Sequence, residues 1–127
     1  MVDIREQSPL SLVFVGDAVY SLLIRQHFVT SKRYNINVLN KMTVKYVSAH
    51  GQFMALELIR ELLTDEEAAV AKRGQNASKA SVAKNASVAE YRASTGFESL
   101  LGYLKLTNQE ERIEYLVGYI LENLKFE

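Results

Sequence analysis

The sequence predicts an all-α protein, an orthogonal helical bundle, and three observations lead to that prediction. The 127 residues include one proline and six glycines, fewer turn residues than a small β-sandwich or barrel needs. Capping boxes of the form Ser/Thr-x-x-Glu occur at Thr64, Ser87 and Thr107. Apolar residues recur at helical spacing, without a convincing strand or an internal repeat. The length suits one domain over residues 1–127.

The first predicted helix runs from about Leu10 to Phe28, with Pro9 placed at its first turn. Its sequence, LSLVFVGDAVYSLLIRQHF, is apolar on nearly every side at its start, which indicates a buried helix. The polar, basic segment SKRYNIN reads as a connection. A second helical stretch follows from about Val38 to Leu63, with a kink or close packing predicted at His50-Gly51.

The second half of the chain predicts three shorter helices. Thr64 opens a helix to about Arg73, Ser87 opens one to about Leu104, and Thr107 opens the last. Between the first two lies GQNASKASVAKNAS, residues 74–87, which has no apolar period. We predict a basic, flexible loop there.

Composition excludes several classes of function. The chain has no cysteine, so disulfides, cysteine-based zinc sites and thiol nucleophiles are ruled out. No GxxxxGK, GxSxG or GxGxxG motif occurs. We expect no membrane segment, since no window approaches the run of about 18 apolar residues that a span needs. The N-terminus lacks the order of a signal peptide, so we expect a cytoplasmic protein.

The net charge is zero, but the charges are unevenly distributed. Basic residues dominate from Arg25 to His50, and again from Lys72 to Arg92, where Glu90 is the one acid. A basic face of this kind suits a polyanion. The alternative is that these are ordinary solvated surfaces.

Asp17 and Glu98 are the two residues that a purely structural interpretation explains least well. Asp17 lies in VFVGDAVY, the most apolar predicted helix, beside Gly16, where a glycine typically lets something approach the backbone. Glu98 lies in another apolar helix, one turn after Thr95. If the two acids met, they would suit one hard divalent cation, with water and phosphate completing its ligands. The alternatives are that Asp17 caps a helix or pairs with an arginine, and that Glu98 is simply exposed. His27 and His50 lack ligand partners at useful spacing, so we expect neither to bind metal.

The two segments LSLVFVGDAVYSLLIR and YRASTGFESLLGYLKL together resemble the ribonuclease III catalytic domain. Their combination with the intervening KRGQNASKASVAKNAS most closely resembles Mini-ribonuclease III, the short form without a separate double-stranded-RNA-binding domain. The resemblance covers about Leu10 to Leu121.

The resemblance implies a ribonuclease III-like helical fold and an endoribonuclease that cuts double-stranded RNA. It also implies a homodimer, dependence on Mg²⁺ or alternatively Mn²⁺, and a role in maturing precursor 23S ribosomal RNA. Asp17 and Glu98 match the family's metal-binding and catalytic acids. We expect Thr95 to orient a metal-bound water, and the apolar segment from Leu12 to Tyr20 to form the dimer interface. The residues expected to bind RNA are Lys72, Arg73, Asn76, Lys79, Lys84 and Arg92.

The chain departs from the longer ribonuclease III enzymes at two positions and from the short subfamily at a third. Val13 and Thr95 stand where those enzymes carry two further acids, and Gln75 stands where the short subfamily usually has arginine. The thinned acidic set leaves two alternatives open, a non-catalytic RNA-binding module and a helical adaptor that contacts no RNA. Cleavage of RNA would exclude the non-catalytic module, and salt-dependent RNA binding would exclude the adaptor.

Overall fold

A computed structural model describes residues 1–78 and 87–126, and within these ranges it contains six α-helices and no strand. Two short 3₁₀ turns, Ile4–Glu6 and Arg60–Leu62, supplement the helices. The all-α prediction is confirmed. The helices are α1 (Pro9–Ser31), α2 (Ile36–Val47), α3 (Ala49–Ile59), α4 (Asp65–Ala77), α5 (Val88–Leu106) and α6 (Glu110–Asn123).

Helix α1 is buried along one stripe only, so the prediction of an all-round buried helix is wrong. It begins where predicted, with Ser8 as N-cap and Pro9 in the first turn. Its buried residues recur every four positions and face α5: Leu12, Gly16, Tyr20 and Ile24. Apolar residues elsewhere on α1 remain exposed, among them Phe14 at 83% and Leu22 at 56%. The apolar residues on the other faces of α1 are therefore left uncovered by the rest of the described chain.

The expectation that no segment approaches a membrane span needs correction for α1. By length and composition alone this helix is sufficient to cross a membrane, with 23 residues and a mean hydropathy of 1.3 in its best window. Core helices pass the same test. Here α1 packs along α5 through its buried stripe.

The predicted helix from Val38 to Leu63 is broken at Ser48 into α2 and α3, two residues before the expected kink. Ser48 ends α2 through its backbone N–H, which donates to the Val44 carbonyl at 3.0 Å, and starts α3 through its hydroxyl, which accepts from the Gly51 N–H at 3.1 Å. The close packing predicted at Gly51 is confirmed, because a Cβ there would lie 2.0 Å from the Lys45 carbonyl oxygen.

Two of the three predicted capping boxes form. In both, the N-cap hydroxyl accepts from the backbone and the glutamate reaches back, Thr64 with Glu67 on α4 and Ser87 with Glu90 on α5. Helix α4 continues to Ala77, so the loop predicted from residue 74 is wrong for residues 74–77. Residues 79–86 lie outside the described residues.

The third box, at Thr107, does not form. Thr107 ends α5 instead, and its hydroxyl donates to the Tyr103 carbonyl at 2.7 Å. Asn108 follows at φ 60°, a left-handed conformation that terminates helices, and Gln109 then precedes α6 without a side-chain cap. The Thr107 hydroxyl donates to the end of α5 and accepts from the Gln109 side-chain Nε2 at 2.8 Å, so it caps no backbone N–H of α6.

Helix α5 is the central helix, and it packs against α1, α3, α4 and α6. Every residue from 93 to 104 is buried except Glu98, which is half-buried. The apolar core around α5 includes Tyr20, Leu56 and Phe97, none with measurable exposure. A single acid therefore interrupts the most buried segment of the chain.

Candidate active site

Helices α1 and α5 cross with their backbones in contact, and two glycines make this approach possible. A Cβ on Gly16 would lie 1.7 Å from the Glu98 carbonyl oxygen, and a Cβ on Gly102 would lie 1.9 Å from the Leu12 carbonyl oxygen. Neither position has room for a side chain. The approach inferred at Gly16 is thus made by the α5 backbone, at the residue that carries the second acid.

The crossing brings together the side chains of Asp17 and Glu98, although 81 positions separate them in sequence. The two carboxyl groups are close enough to share a hydrogen bond when one of them is protonated. Asp17 lies in a helix that was expected to be buried, but its side chain is exposed, and Glu98 is the half-buried partner. Among residues 1–78 and 87–126 no salt bridge to Asp17 forms, so it does not pair with an arginine there. Glu98 is not the plain exposed position that the alternative required.

The environment of Glu98 disfavours its negative charge. Burial, followed by the nearby Asp17 carboxyl, raises the pKa of Glu98 to about 8, against the opposing effect of a hydrogen bond from Gln52. Two acids that face each other without a cation repel. Oxygen ligands of this kind suit Mg²⁺, which retains several waters and needs few protein ligands. Within the described ranges no cluster of three or more His, Asp or Glu side chains occurs, so water and substrate phosphate would supply the other ligands.

Gln52 is a site residue that the sequence analysis missed. It lies on α3, is only 3% exposed, and donates from Nε2 to Glu98 Oε2 at 3.1 Å and to the Val47 carbonyl at 3.0 Å. A signal was present in the sequence: a glutamine within HGQFMALELI, an otherwise apolar segment. Its partner on α5, however, is 46 positions away.

Thr95 is buried, and its hydroxyl is 3.1 Å from the Tyr91 carbonyl and 3.4 Å from the Ser78 hydroxyl oxygen. The contact with Ser78 joins α5 to the end of α4. The expectation that Thr95 orients a water stays a prediction.

Some of the predicted RNA-binding residues line one cleft of about 590 Å³ between α3, α4 and α5. Lys72, Asn76 and Arg92 lie in its wall, and Arg60 of the 3₁₀ turn adds a cation that the sequence analysis did not single out. The Arg92 guanidinium already bonds the end of α4, at the Gln75 carbonyl (3.2 Å) and the Asn76 side-chain oxygen (3.4 Å).

Of the other predicted RNA contacts, Arg73 does not line this cleft. The Arg73 guanidinium is 3.5 Å from the Gln7 carbonyl near the N-terminus. Lys79 and Lys84 lie outside the described residues. His50 lies beside the N-terminus of α5, where its Nδ1 is 2.5 Å from Glu90 Oε2. This hydrogen bond lowers the pKa of Glu90. The ring of His27 packs edge-on against Phe28.

Comparison with known proteins identifies the family and supports the fold. Residues 10–109 match the family model of the ribonuclease III domain, which defines the class of this helical protein. The chain is 44% identical to Mini-ribonuclease 3 of Enterococcus faecalis, over 98% of its own length and 96% of the relative. It is 41% identical to Mini-ribonuclease 3 of Streptococcus pneumoniae, over 98% and 99%. A crystal structure of a protein from Fusobacterium nucleatum superposes with a TM-score of 0.86 at 31% identity, over 96% of this chain and 98% of that one.

The chain therefore belongs to the Mini-ribonuclease III family. It is an endoribonuclease of the ribonuclease III type, which acts on double-stranded RNA. The prediction of the family, the fold and the enzyme class is confirmed, and neither the inactive RNA-binding module nor the adaptor is supported.

Proposed function

We propose that Asp17 and Glu98 together bind one divalent cation, Mg²⁺ or alternatively Mn²⁺, and that this pair is the catalytic centre of the endoribonuclease. The observation that carries the proposal is the meeting of the two carboxyl groups at the α1–α5 crossing. A bound cation would offset both the burial of the Glu98 charge and the effect of the nearby Asp17 carboxyl, which together raise the pKa of Glu98. The carboxylate oxygens of the two acids fit the chemistry of Mg²⁺. When bound, it supplies activation of water and neutralisation of phosphate charge.

The chain's own residues then have separate tasks. Asp17, on the exposed side, and Glu98, half-buried, offer oxygen ligands from two rigid helices. Hydrolysis of the phosphodiester would leave a 5′ phosphate and a 3′ hydroxyl, as the family relationship implies. Thr95, one turn before Glu98 on α5, retains its proposed role of orienting a metal-bound water.

We propose that the cleft between α3, α4 and α5 binds the phosphate backbone of the RNA duplex. Lys72 supplies a cation, and Arg92 fixes the end of α4 while adding positive charge. Arg60 also lines the cleft, but its Nε is 2.8 Å from Oε1 of Glu57, another lining residue, so it adds less positive charge. Arg92 precedes Glu98 by six residues, about 9 Å along the helix axis, so one duplex can reach both places. The proposed set of RNA contacts also includes Arg73, Asn76, Lys79 and Lys84. Contacts of this kind read A-form shape more than sequence.

We propose that the enzyme is a symmetric homodimer that uses the exposed face of α1. Leu12 and Tyr20, the bounds expected from the sequence, are buried within their own chain. The uncovered apolar residues of α1 include Leu10, Phe14 and Leu22, spaced four or eight positions apart along the helix, and Val29, seven positions after Leu22. A large, exposed aromatic side chain such as Phe14 is typical of an interface. Two sites related by a two-fold axis would cut both RNA strands.

The dimer is tested with Phe14→Glu, and with Tyr115→Glu as a matched control. Tyr115 is 51% exposed on α6, which packs on α3 and α5. Sedimentation velocity should show a monomer for Phe14→Glu and a dimer for the control. A dimeric Phe14→Glu protein would place the interface elsewhere.

We propose precursor 23S ribosomal RNA as the substrate and the cytoplasm as the location. Both follow from the relationship to Mini-ribonuclease III proteins of bacteria. The substrate is tested by comparing cleavage of a duplex from the precursor ends with an unrelated duplex of equal length. Equal rates and equal cut patterns on the two duplexes would contradict a dedicated substrate.

The catalytic proposal is tested with Asp17→Asn. The variant should keep the helical fold and the RNA affinity measured in chelator, and lose cleavage, since an amide is a weaker ligand for a hard cation. Fragments from the wild-type enzyme should disappear when a chelator is added. Wild-type cleavage rates from Asp17→Asn at saturating Mg²⁺ would refute the role of Asp17.

A further inference from the structure

Gln52 is a buried polar side chain for which the proposed reaction gives no task. Its neighbours on the same face of α3, Ala55, Leu56 and Ile59, have no measurable exposure and belong to the core. Glutamine is seldom fully buried, because its amide must find hydrogen-bond partners away from water. The identity of those partners therefore indicates what Gln52 does.

Both partners of the Gln52 Nε2 are hydrogen-bond acceptors. The Glu98 carboxylate oxygen Oε2 is 3.1 Å away, and the Val47 carbonyl oxygen is 3.0 Å away. An amide nitrogen carries two hydrogens, so one NH₂ group satisfies both acceptors. The reverse orientation would set the amide oxygen against the Val47 carbonyl oxygen, which is an acceptor at every pH, so the surroundings fix which way the amide faces.

A neutral donor at this place has a specific consequence for Glu98. The terminal torsion of a glutamate is broad, so a carboxylate with no partner turns easily. Gln52 holds one oxygen and adds no charge, whereas a lysine or arginine would compete with a cation for the carboxylate. Asp17 meets the same carboxyl group from α1. Glu98 is therefore held from α3 while it faces Asp17.

We propose that Gln52 is a positioning residue, which holds Glu98 in the orientation that binds a divalent cation together with Asp17. The inference rests on the proposed metal-binding role of the two acids. Groups that orient a metal ligand through a hydrogen bond typically contribute about 10–100-fold to metal affinity.

The bond from Gln52 to Val47 also ties α3 to the end of α2, so a purely structural role must be separated from positioning. Ser48 offers the matched control, because it caps the same junction and makes no hydrogen bond to Glu98 within the described part of the chain. Ser48→Ala should lower the unfolding temperature through the lost cap.

The experiment compares Gln52→Leu, Gln52→Asn and Ser48→Ala with the wild-type enzyme. Mn²⁺ binding is measured without RNA by the electron paramagnetic resonance of free Mn²⁺, together with thermal unfolding and the Mg²⁺ dependence of cleavage. Both Gln52 variants should bind Mn²⁺ about 10-fold or more weakly and need correspondingly more Mg²⁺. Their RNA affinity in chelator should be unchanged. Ser48→Ala should unfold at lower temperature and bind Mn²⁺ like the wild type.

Two results would overturn this inference and leave the proposed metal site standing. One is wild-type Mn²⁺ affinity in the Gln52 variants, and the other is an equal loss of Mn²⁺ affinity in Ser48→Ala. If Gln52→Leu does not fold, Gln52→Asn decides, since it retains the amide but is too short to reach both acceptors. Asp17→Asn is measured in parallel. Wild-type Mn²⁺ binding by that variant would overturn the proposed metal site and, with it, the task of Gln52.

Discussion

Glu67, which is buried, and Glu98, which is half-buried, have opposite surroundings. Glu67, 4% exposed, accepts from Arg112 Nε and Nη2 at 2.8 Å each and from the Thr64 N–H at 2.9 Å. Burial alone raises the pKa of Glu67, but the hydrogen bonds from Arg112 and the Thr64 backbone outweigh it and hold the pKa below its ordinary value. Glu98 instead meets a second acid and a neutral amide, and its pKa rises to about 8.

The difference separates an acid that stabilises the fold from an acid that does not. The negative charge of Glu67 is matched by a cation and by a helix N-terminus, as expected of a structural residue. The negative charge of Glu98 is left uncompensated by the chain. Shifts of this kind concentrate at functional sites, and a cation from solution would complete the site.

The largest expected effect is on catalysis by Glu98→Gln. Metal ligation supplies several kcal/mol to the transition state, and a loss of about 4 kcal/mol corresponds to about a thousandfold in rate. In chelator the variant should be at least as stable as the wild type, because the repulsion between the acids is removed. Single-turnover cleavage and urea unfolding measure the two effects. A marked loss of stability would make Glu98 a structural acid.

Glu67→Gln should show the converse. Breaking a buried, hydrogen-bonded ion pair leaves the Arg112 charge uncompensated, and we expect a loss of about 3 kcal/mol in the free energy of unfolding. The folded fraction should cleave RNA at the wild-type rate. Urea denaturation gives the stability, and activity per folded molecule gives the rate. Unchanged stability of Glu67→Gln would contradict the contrast between Glu67, which stabilises the fold, and Glu98, which does not.

Gly16→Ala tests the backbone contact that places Glu98 beside Asp17. Its Cβ would overlap the Glu98 carbonyl, so α1 and α5 must separate at a cost of about 2–3 kcal/mol, with loss of activity. Gly118→Ala on α6 is the control, since a Cβ there meets nothing within 4 Å. The control should gain about 0.5–1 kcal/mol from helix propensity. Thermal unfolding and RNA cleavage are measured for both variants. A Gly16→Ala protein as stable as the wild type would exclude the close crossing of α1 and α5.

The pH dependence of stability gives the smallest effect when it is counted per pH unit. The folded pKa of Glu98, about 8, lies above its ordinary value of 4.5, so its contribution is full below pH 4.5 and is lost as pH rises to 8. The slope is at most about 1.4 kcal/mol per pH unit, the value for one proton. Glu67 acts oppositely, because its lowered pKa gives stability above pH 4.5 that is lost on acidification.

Urea titrations in chelator from pH 5 to 8 measure this slope. Glu98→Gln should flatten it, and added Mg²⁺ should flatten it in the wild type. A slope that persists in Glu98→Gln would assign the titration to another group.

Elements governed by neighbouring residues were predictable from the sequence. The boxes at Thr64 and Ser87 formed as expected, since their donors and acceptors lie three residues apart. The box at Thr107 failed, because the same pattern did not reveal that the hydroxyl would serve the end of α5. The break at Ser48 was missed for a similar reason, since a serine within a helical pattern carries no unambiguous stop signal.

The sequence by itself determined the helical class, the family and the pair Asp17 and Glu98, because periodicity and motif residues are local properties of the chain. Only the tertiary structure decided that Glu98 is the more buried acid and that Gln52 holds it. Those facts depend on how α1, α3 and α5 meet. Side-chain burial and partners across separate helices arise from packing, which no spacing along the chain encodes.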